Sequence, residues 1–323
     1  MKARWIMGGV LVAVVVLATA AANLWMKGGR EAARLADAGP SRCLPPSSAP
    51  AAEHAGMVWV PGGSFTMGDD FYPEEKPLRP VTVEGFWMDR TEVTNEEFAA
   101  FVEETGYVTV AERPVDTSAH PGLPAYMQEP GAVVFIMPND IDGTGDISQW
   151  WQYVPGANWR HPGGPGTSIE GKDQFPVTAV AYEDALAFAA WKGHTLPTEA
   201  QWEWASREAN AEAPNPRAQP REANTWQGLF PVVNSADDGF VGIAPVGCFE
   251  PNALGLHDMI GNLWEWTSDE YRGAPGHRVI KGGSWLCAPS YCVRYRPGAR
   301  QPQETDLATT HLGFRTVVLA PGP

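Results

Sequence analysis

Cysteine is nearly absent from this chain, with four in 323 residues. That excludes a scaffold held together by a dense disulfide framework, and it makes each cysteine's position informative. Positive charge is scarce too. Lys plus Arg number 23 against 38 Asp plus Glu, a net charge of −15, and no basic run or basic-aromatic interleaving occurs. Such a surface repels phosphate backbones, which excludes nucleic acid as a partner. The seven histidines (His54, His120, His161, His194, His257, His277 and His311) are dispersed, without the i,i+4 spacing of a metal helix, and none is assigned to a metal. The body contains no internal repeat, no low-complexity run and no EF-hand loop.

One long apolar run is present. Trp5 to Trp25 is almost wholly hydrophobic, follows Lys2 and Arg4, and spans 21 residues. As a helix it would cover about 30 Å, the thickness of a bilayer's hydrocarbon core, with tryptophans at both interfaces. Ala18-Thr19-Ala20-Ala21-Ala22 has the small residues of a signal-peptidase site. Residues 1–26 therefore read as a membrane anchor or a signal peptide, and either places the body outside the cytoplasm. It would stand membrane-anchored on the periplasmic or extracellular side, or be secreted if the segment is cleaved. Residues 27–56 are rich in Ala, Pro, Ser and charge, and read as a flexible linker. Cys43 lies there outside any lipobox context, and is either free or paired with Cys248.

From 57 to 323 the chain reads as one loop-rich domain. Its glycines and prolines, 34 and 30 in the whole sequence, interrupt it too often for long elements, and 14 tryptophans supply core area instead. Capping boxes at Thr94-Asn95-Glu96-Glu97 and Thr198-Glu199-Ala200-Gln201 open two predicted helices, the first stopped near Gly106. Tyr182 to Trp191, stopped by Gly193, is a third. Short strands are predicted at Val58–Val60, Ser64–Met67 and Val81–Val83.

Two of the four cysteines, Cys287 and Cys292, share one Gly-led segment, Gly282-Gly283-Ser284-Trp285-Leu286-Cys287-Ala288-Pro289-Ser290-Tyr291-Cys292. Thiolate is both a soft metal ligand and a strong nucleophile. On spacing alone the pair fits a small-loop cystine, a metal or redox pair, or two unrelated thiols. Arg278, Arg294, Arg296 and Arg300 flank the segment as core-bridging cations or groove residues.

Several stretches together carry a family likeness. Met57-Val58-Trp59-Val60-Pro61-Gly62-Gly63-Ser64-Phe65 opens the body, and Gly156-Ala157-Asn158-Trp159-Arg160-His161-Pro162 lies mid-chain. Leu196-Pro197-Thr198-Glu199-Ala200-Gln201-Trp202-Glu203 and Ala223-Asn224-Thr225-Trp226-Gln227-Gly228 follow. Gly261-Asn262-Leu263-Trp264-Glu265-Trp266-Thr267 and Leu312-Gly313-Phe314-Arg315 close the set. With the segment Gly-Gly-Ser-x-x-Cys-x-x-x-Ser-Tyr-Cys-x-Arg-Tyr-Arg, the body resembles the formylglycine-generating enzyme, or sulfatase-modifying factor, family along nearly its whole length. The resemblance implies an α+β fold, a single domain of low regular secondary structure and a variant of the C-type-lectin-like fold. It implies oxidation by O2 of a cysteine in a sulfatase-type protein to Cα-formylglycine, with substrates presenting Cys-x-Pro-x-Arg or a close variant.

By the same likeness Cys287 and Cys292 would hold Cu(I), Ser284 would offer a hydroxyl beside the reacting sulfur, and Trp264 would wall the oxygen pocket. Ala288 stands where some members have histidine. Two structural Ca²⁺ ions are implied as well. One would take Asn224 and Asp238 with backbone oxygens of Thr225 and Phe240. The other would take Asp258 and Glu265 with backbone oxygens of Gly261 and Leu263. The alternative of another class is a membrane-tethered binding module of the same superfamily, with Cys287–Cys292 closed as a disulfide.

Overall fold

Short elements follow from the glycine and proline punctuation, and the chain folds by joining them through long, well-fastened loops. The computed structural model describes residues 40–44, 54–118, 121–207, 218–220 and 222–319, so the apolar segment expected at 1–26 lies outside it. In chain order the elements are β1 (Met57–Val60), β2 (Gly63–Met67), β3 (Arg79–Val83), β4 (Phe86–Asp89), α1 (Asn95–Thr105), β5 (Gly131–Phe135) and β6 (Trp151–Pro155). Then come α2 (Tyr182–Trp191), α3 (Glu199–Arg207), β7 (Trp264–Glu270), β8 (His277–Lys281), β9 (Gln301–Glu304), β10 (Leu312–Gly313) and β11 (Val317–Val318). One sheet runs β10-β7-β8-β9 and another β1-β4-β11, while β2-β3 and β5-β6 form two-stranded ribbons. The α+β, loop-rich architecture is the expected one.

Both capping boxes form. Thr94 Oγ1 accepts the Glu97 N–H at 3.2 Å, and the Glu97 carboxylate accepts the Thr94 N–H at 3.0 Å. Gly106 ends α1 in the left-handed region at φ 68°. Thr198 and Gln201 close the same reciprocal pair at the start of α3, at 3.1 and 2.8 Å. The three expected strands are present as β1, β2 and β3. Although β1 and β2 are consecutive, β1 pairs with β4 and β2 with β3.

Indole and phenyl rings make the core. Trp150, Trp159, Trp202, Trp226, Trp264 and Trp266 are all buried. At roughly 150–250 Å² each, they contribute about 4–6 kcal/mol apiece in transfer free energy. Phe98, Phe188 and Phe314 pack edge-on or stacked behind them. Buried charge fastens α3 to the main sheet. Lys281 Nζ lies 2.9 Å from Glu203 Oε2, Trp202 Nε1 donates to Glu265 Oε2 at 2.8 Å, and Arg315 meets both oxygens of Glu265 at 2.7 and 2.8 Å. Of the four arginines around the cysteine segment, Arg296 pairs with Asp69 and Glu75, Arg294 with Glu74, Arg300 with Glu199 and Arg278 with Glu270. Arg296 is buried and bridges inside the body, while Arg278 and Arg300 also line surface grooves.

Cys43 is disulfide-bonded to Cys248 across a sequence separation of 205. The stretch expected as a free linker is thus fastened to the body at residue 43. Leu44 follows and packs against Gly247, where an added Cβ would come within 2.4 Å of its Cγ. Closing so long a loop restricts the unfolded chain by about 5 kcal/mol in the chain-entropy account.

Candidate active site

β8 delivers the chain to the cysteine segment at Lys281, and two left-handed glycines then turn it inward (Gly282 φ 96°, Gly283 φ 73°). Gly283 is required twice over, because a Cβ there would also lie 2.9 Å from Tyr295 Cα. The next residues form tight turns. Cys287 N–H donates to Ser284 O at 2.9 Å, and both Tyr291 and Cys292 donate to Ala288 O, at 3.1 and 3.0 Å. Neighbouring loops pin the segment from outside. Trp285 N–H donates to Asn262 O at 2.9 Å, and Cys287 O accepts the Trp226 N–H at 3.0 Å.

These bonds bring the two sulfurs into contact. Cys287 and Cys292 are disulfide-paired in this structure, with Cα atoms 4.5 Å apart, and both are buried. They share an apolar cluster with Trp264, Trp159, Val293, Tyr295 and Leu312. Trp264 begins β7, and its N–H is held by His311 O at 2.9 Å. Ser284 is fully buried, and its Oγ accepts the Leu286 N–H at 3.3 Å, so it shapes the turn. The structure therefore gathers Cys287, Cys292, Ser284 and Trp264 into one small region. Once reduced, the two thiolates would be soft donors converging among apolar walls, a set that suits a soft, low-coordinate cation such as Cu(I).

The residues expected at the first calcium site also come together. Asp238 Oδ2 accepts the Thr225 N–H at 3.1 Å and its Oδ1 accepts the Phe240 N–H at 3.0 Å. Asn224 spends its Nδ2 on Gly242 O and Asn262 Oδ1, leaving its carbonyl oxygen for a hard cation. Burial raises the Asp238 pKa. Asn224 Oδ1 and the Asp238 carboxylate are hard oxygens of the kind Ca²⁺ takes, and a cation there would share the Asp238 oxygens with the Thr225 and Phe240 N–H groups.

At the second site, Asp258 sits buried at φ 56° with Oδ2 accepting the Gly247 N–H at 2.7 Å. Gly261 packs against the first site so closely that a Cβ would lie 2.2 Å from Asn224 O. Glu265, however, is engaged by Arg315 and Trp202, so a cation would have to share its oxygens. Among the described residues no group of three or more His, Cys, Asp or Glu side chains is arranged to hold a metal.

Sequence reasoning missed Glu92. It is fully buried, accepts Asn262 Nδ2 at 3.1 Å on Oε1, and leaves Oε2 unpartnered. Burial pushes its carboxyl well up, and Asp258 and Glu265 add to the push. Nothing local marks it, since its hydrogen-bond partner Asn262 is 170 residues away in sequence.

The arrangement defines a class, a buried pair of sulfurs on a short loop of an α+β scaffold with little regular structure. Residues 44–320 match the sulfatase-modifying factor enzyme 1-like domain. The match begins just after Cys43, within the stretch expected as linker. A formylglycine-generating enzyme from Mycobacterium tuberculosis is 48% identical over 294 residues, covering 81% of this chain and 97% of that protein. One from Bos taurus is 41% identical over 284 residues, covering 80% of this chain and 73% of that protein. The solved structure of PvdO from Pseudomonas aeruginosa aligns with a TM-score of 0.53 at 26% identity, covering 81% of this chain and 93% of that one. The chain belongs to the formylglycine-generating, sulfatase-modifying factor family.

Proposed function

We infer that this protein is an O2-dependent oxidoreductase that converts a cysteine of a sulfatase-type polypeptide to Cα-formylglycine. The observation that carries this reading is the convergence of Cys287 and Cys292 inside the Trp264-walled cluster, in a chain of this family. We take the substrate to present Cys-x-Pro-x-Arg or a close variant, and the body to work on the outer side of a membrane, tethered through residues 1–26 or released from them.

Cu(I) would be held by the reduced Cys287 and Cys292 thiolates, and when bound it supplies O2 activation and a place for the substrate thiolate. The chain's own residues do the rest. Hydrogen bonds from Trp226 and to Asn262 fix the loop backbone, so both sulfurs are preset before a substrate arrives. Trp264 and its neighbours exclude water and keep the reacting sulfur in a low-dielectric site. Ser284 holds the turn that aims Cys287. Calcium at the Asn224/Asp238 cluster would pin the adjoining loops.

The test is turnover. The full chain, reduced and loaded with Cu(I), should convert such a peptide's thiol to an aldehyde in air, read by mass spectrometry. Cys287→Ser and Cys292→Ser should each lower the rate at least 100-fold, and the reading fails if either keeps the full rate. A binding module closed by a permanent Cys287–Cys292 disulfide would instead take up no Cu(I) after mild reduction.

A further inference from the structure

Cations are scarce on this chain, yet several collect around one cavity that shares no lining residue with the sulfur cluster. It encloses about 330 Å³ between the turn joining β2 to β3, the start of α3, the end of β7 and the loop 298–300. Its walls hold many carboxylates, but most are answered from behind. Glu74 lies 2.6 Å from Arg294, Glu199 2.9 Å from Arg300 and Glu203 2.9 Å from Lys281, while Glu75 pairs with Arg296. Asp269 accepts the Glu199 N–H at 2.6 Å, and Glu270, with its side chain 82% exposed, lies 3.6 Å from Arg278.

Lys76, Arg79 and Arg272 have no such answer. All three line the cavity, all are exposed, and none has a carboxylate within ion-pair distance among the described residues. Arg79 offers one nitrogen only to Met67 Sδ at 3.1 Å, a weak acceptor. Behind them Arg300 stacks over Tyr271 at 4.8 Å, and its buried Nε is out of line for a hydrogen bond to Glu199. The unmatched charge at the opening is therefore positive, although the chain as a whole carries −15. Salt screens distant acids over about 8 Å at physiological ionic strength, so the local cations decide what enters. Guanidinium forks match oxyanions two oxygens at a time.

We propose that this cavity binds a small sulfate or phosphate compound, its oxyanion held at the opening by Lys76, Arg79 and Arg272. Small-molecule sites run from roughly 300 to 1,000 Å³, and this one lies at the lower end of that range. That leaves space for the organic part of a monoester beside Tyr271, as well as for the free ion.

Isothermal titration of the full chain at constant ionic strength tests it, with inorganic sulfate, inorganic phosphate and the phenyl monoester of each as probes. At least one should bind saturably at one site per chain, against a background of sodium chloride. Arg79→Gln combined with Arg272→Gln should raise that Kd at least about tenfold, while Arg79→Lys with Arg272→Lys keeps it within about threefold. Both arginines are exposed, so the variants should fold, and an unchanged Tm in chloride checks that. A phenyl ester that binds about tenfold tighter than its free anion assigns the space to a monoester, and equal Kd values assign it to the free ion. Either result upholds the site. The proposal is overturned if no probe binds saturably, or if the wild type and the glutamine variant share one Kd. It is also overturned if sulfate only raises Tm linearly and equally in both proteins, which is general salt exclusion.

Discussion

His311 sits at the edge of the reaction cluster in a state fixed by burial. Its carbonyl holds the Trp264 N–H, its Nδ1 is 3.0 Å from Thr309 Oγ1, and its ring lies 4.6 Å from Trp151. Burial pushes its pKa down to about 3. The folded ring is therefore neutral at any ordinary pH, while in the unfolded chain it takes a proton near pH 6.5. A depressed folded pKa gives stability that is present above 6.5 and lost as pH falls toward 3. Between pH 7.5 and 4.5 His311 should cost the protein roughly 2 kcal/mol, trimmed because the residue keeps some solvent contact. His311→Gln should flatten that acid limb by the same amount. Guanidinium unfolding at both pH values checks it, and equal losses in the two proteins would assign the acid sensitivity elsewhere.

Helix α3 illustrates what an element needs beyond its own sequence. Its capping box and Trp202 were legible because both are local signals, and the same holds for α1 with Thr94, Glu97 and Gly106. Its partners were not legible. Glu203 and Glu199 are met by Lys281 at 2.9 and 3.8 Å, with Lys281 wholly buried. Losing that ammonium leaves the two buried carboxylates to Arg207 and Arg300, which are only partly buried, so Lys281→Met should cost about 3–5 kcal/mol. A loss below about 1 kcal/mol in denaturant unfolding would show that Arg207 and Arg300 suffice as counter-charges. The same contrast runs through the strands. β1, β2 and β3 were readable as segments, yet their pairing with β4 and with each other depends on residues up to about thirty positions away. The cysteine pair stood out because the chain has so few thiols. Glu92, and the clasp of Arg315 on Glu265, carried no pattern because burial alone gives them their roles.

Across the whole molecule, the segments expected to carry calcium are the ones that hold the reaction loop. Gly261 N–H donates to Gly282 O at 3.0 Å, Trp285 N–H to Asn262 O at 2.9 Å, and Trp226 N–H to Cys287 O at 3.0 Å. Asn224 thus lies two residues from Trp226, and Asp258 three residues from Gly261, among the donors that fix the cysteine loop. Side chains of Asn224, Asp238, Asp258 and Asn262 tie these loops together, and an ion gripping their oxygens would stabilise them further by linkage. A site kept at 100 times its Kd adds about 2.7 kcal/mol, or about 5–10 °C in Tm for a domain of this size. Chelation with EGTA should therefore lower the Tm by that order, and Ca²⁺, but not Mg²⁺, should restore it. In the reduced, metal-free protein the Cys287 and Cys292 thiols should react faster with a thiol reagent after chelation, because local opening of the loop exposes them. An unchanged Tm and unchanged thiol reactivity would mean that Asn224, Asp238 and Asp258 do their structural work through hydrogen bonds alone.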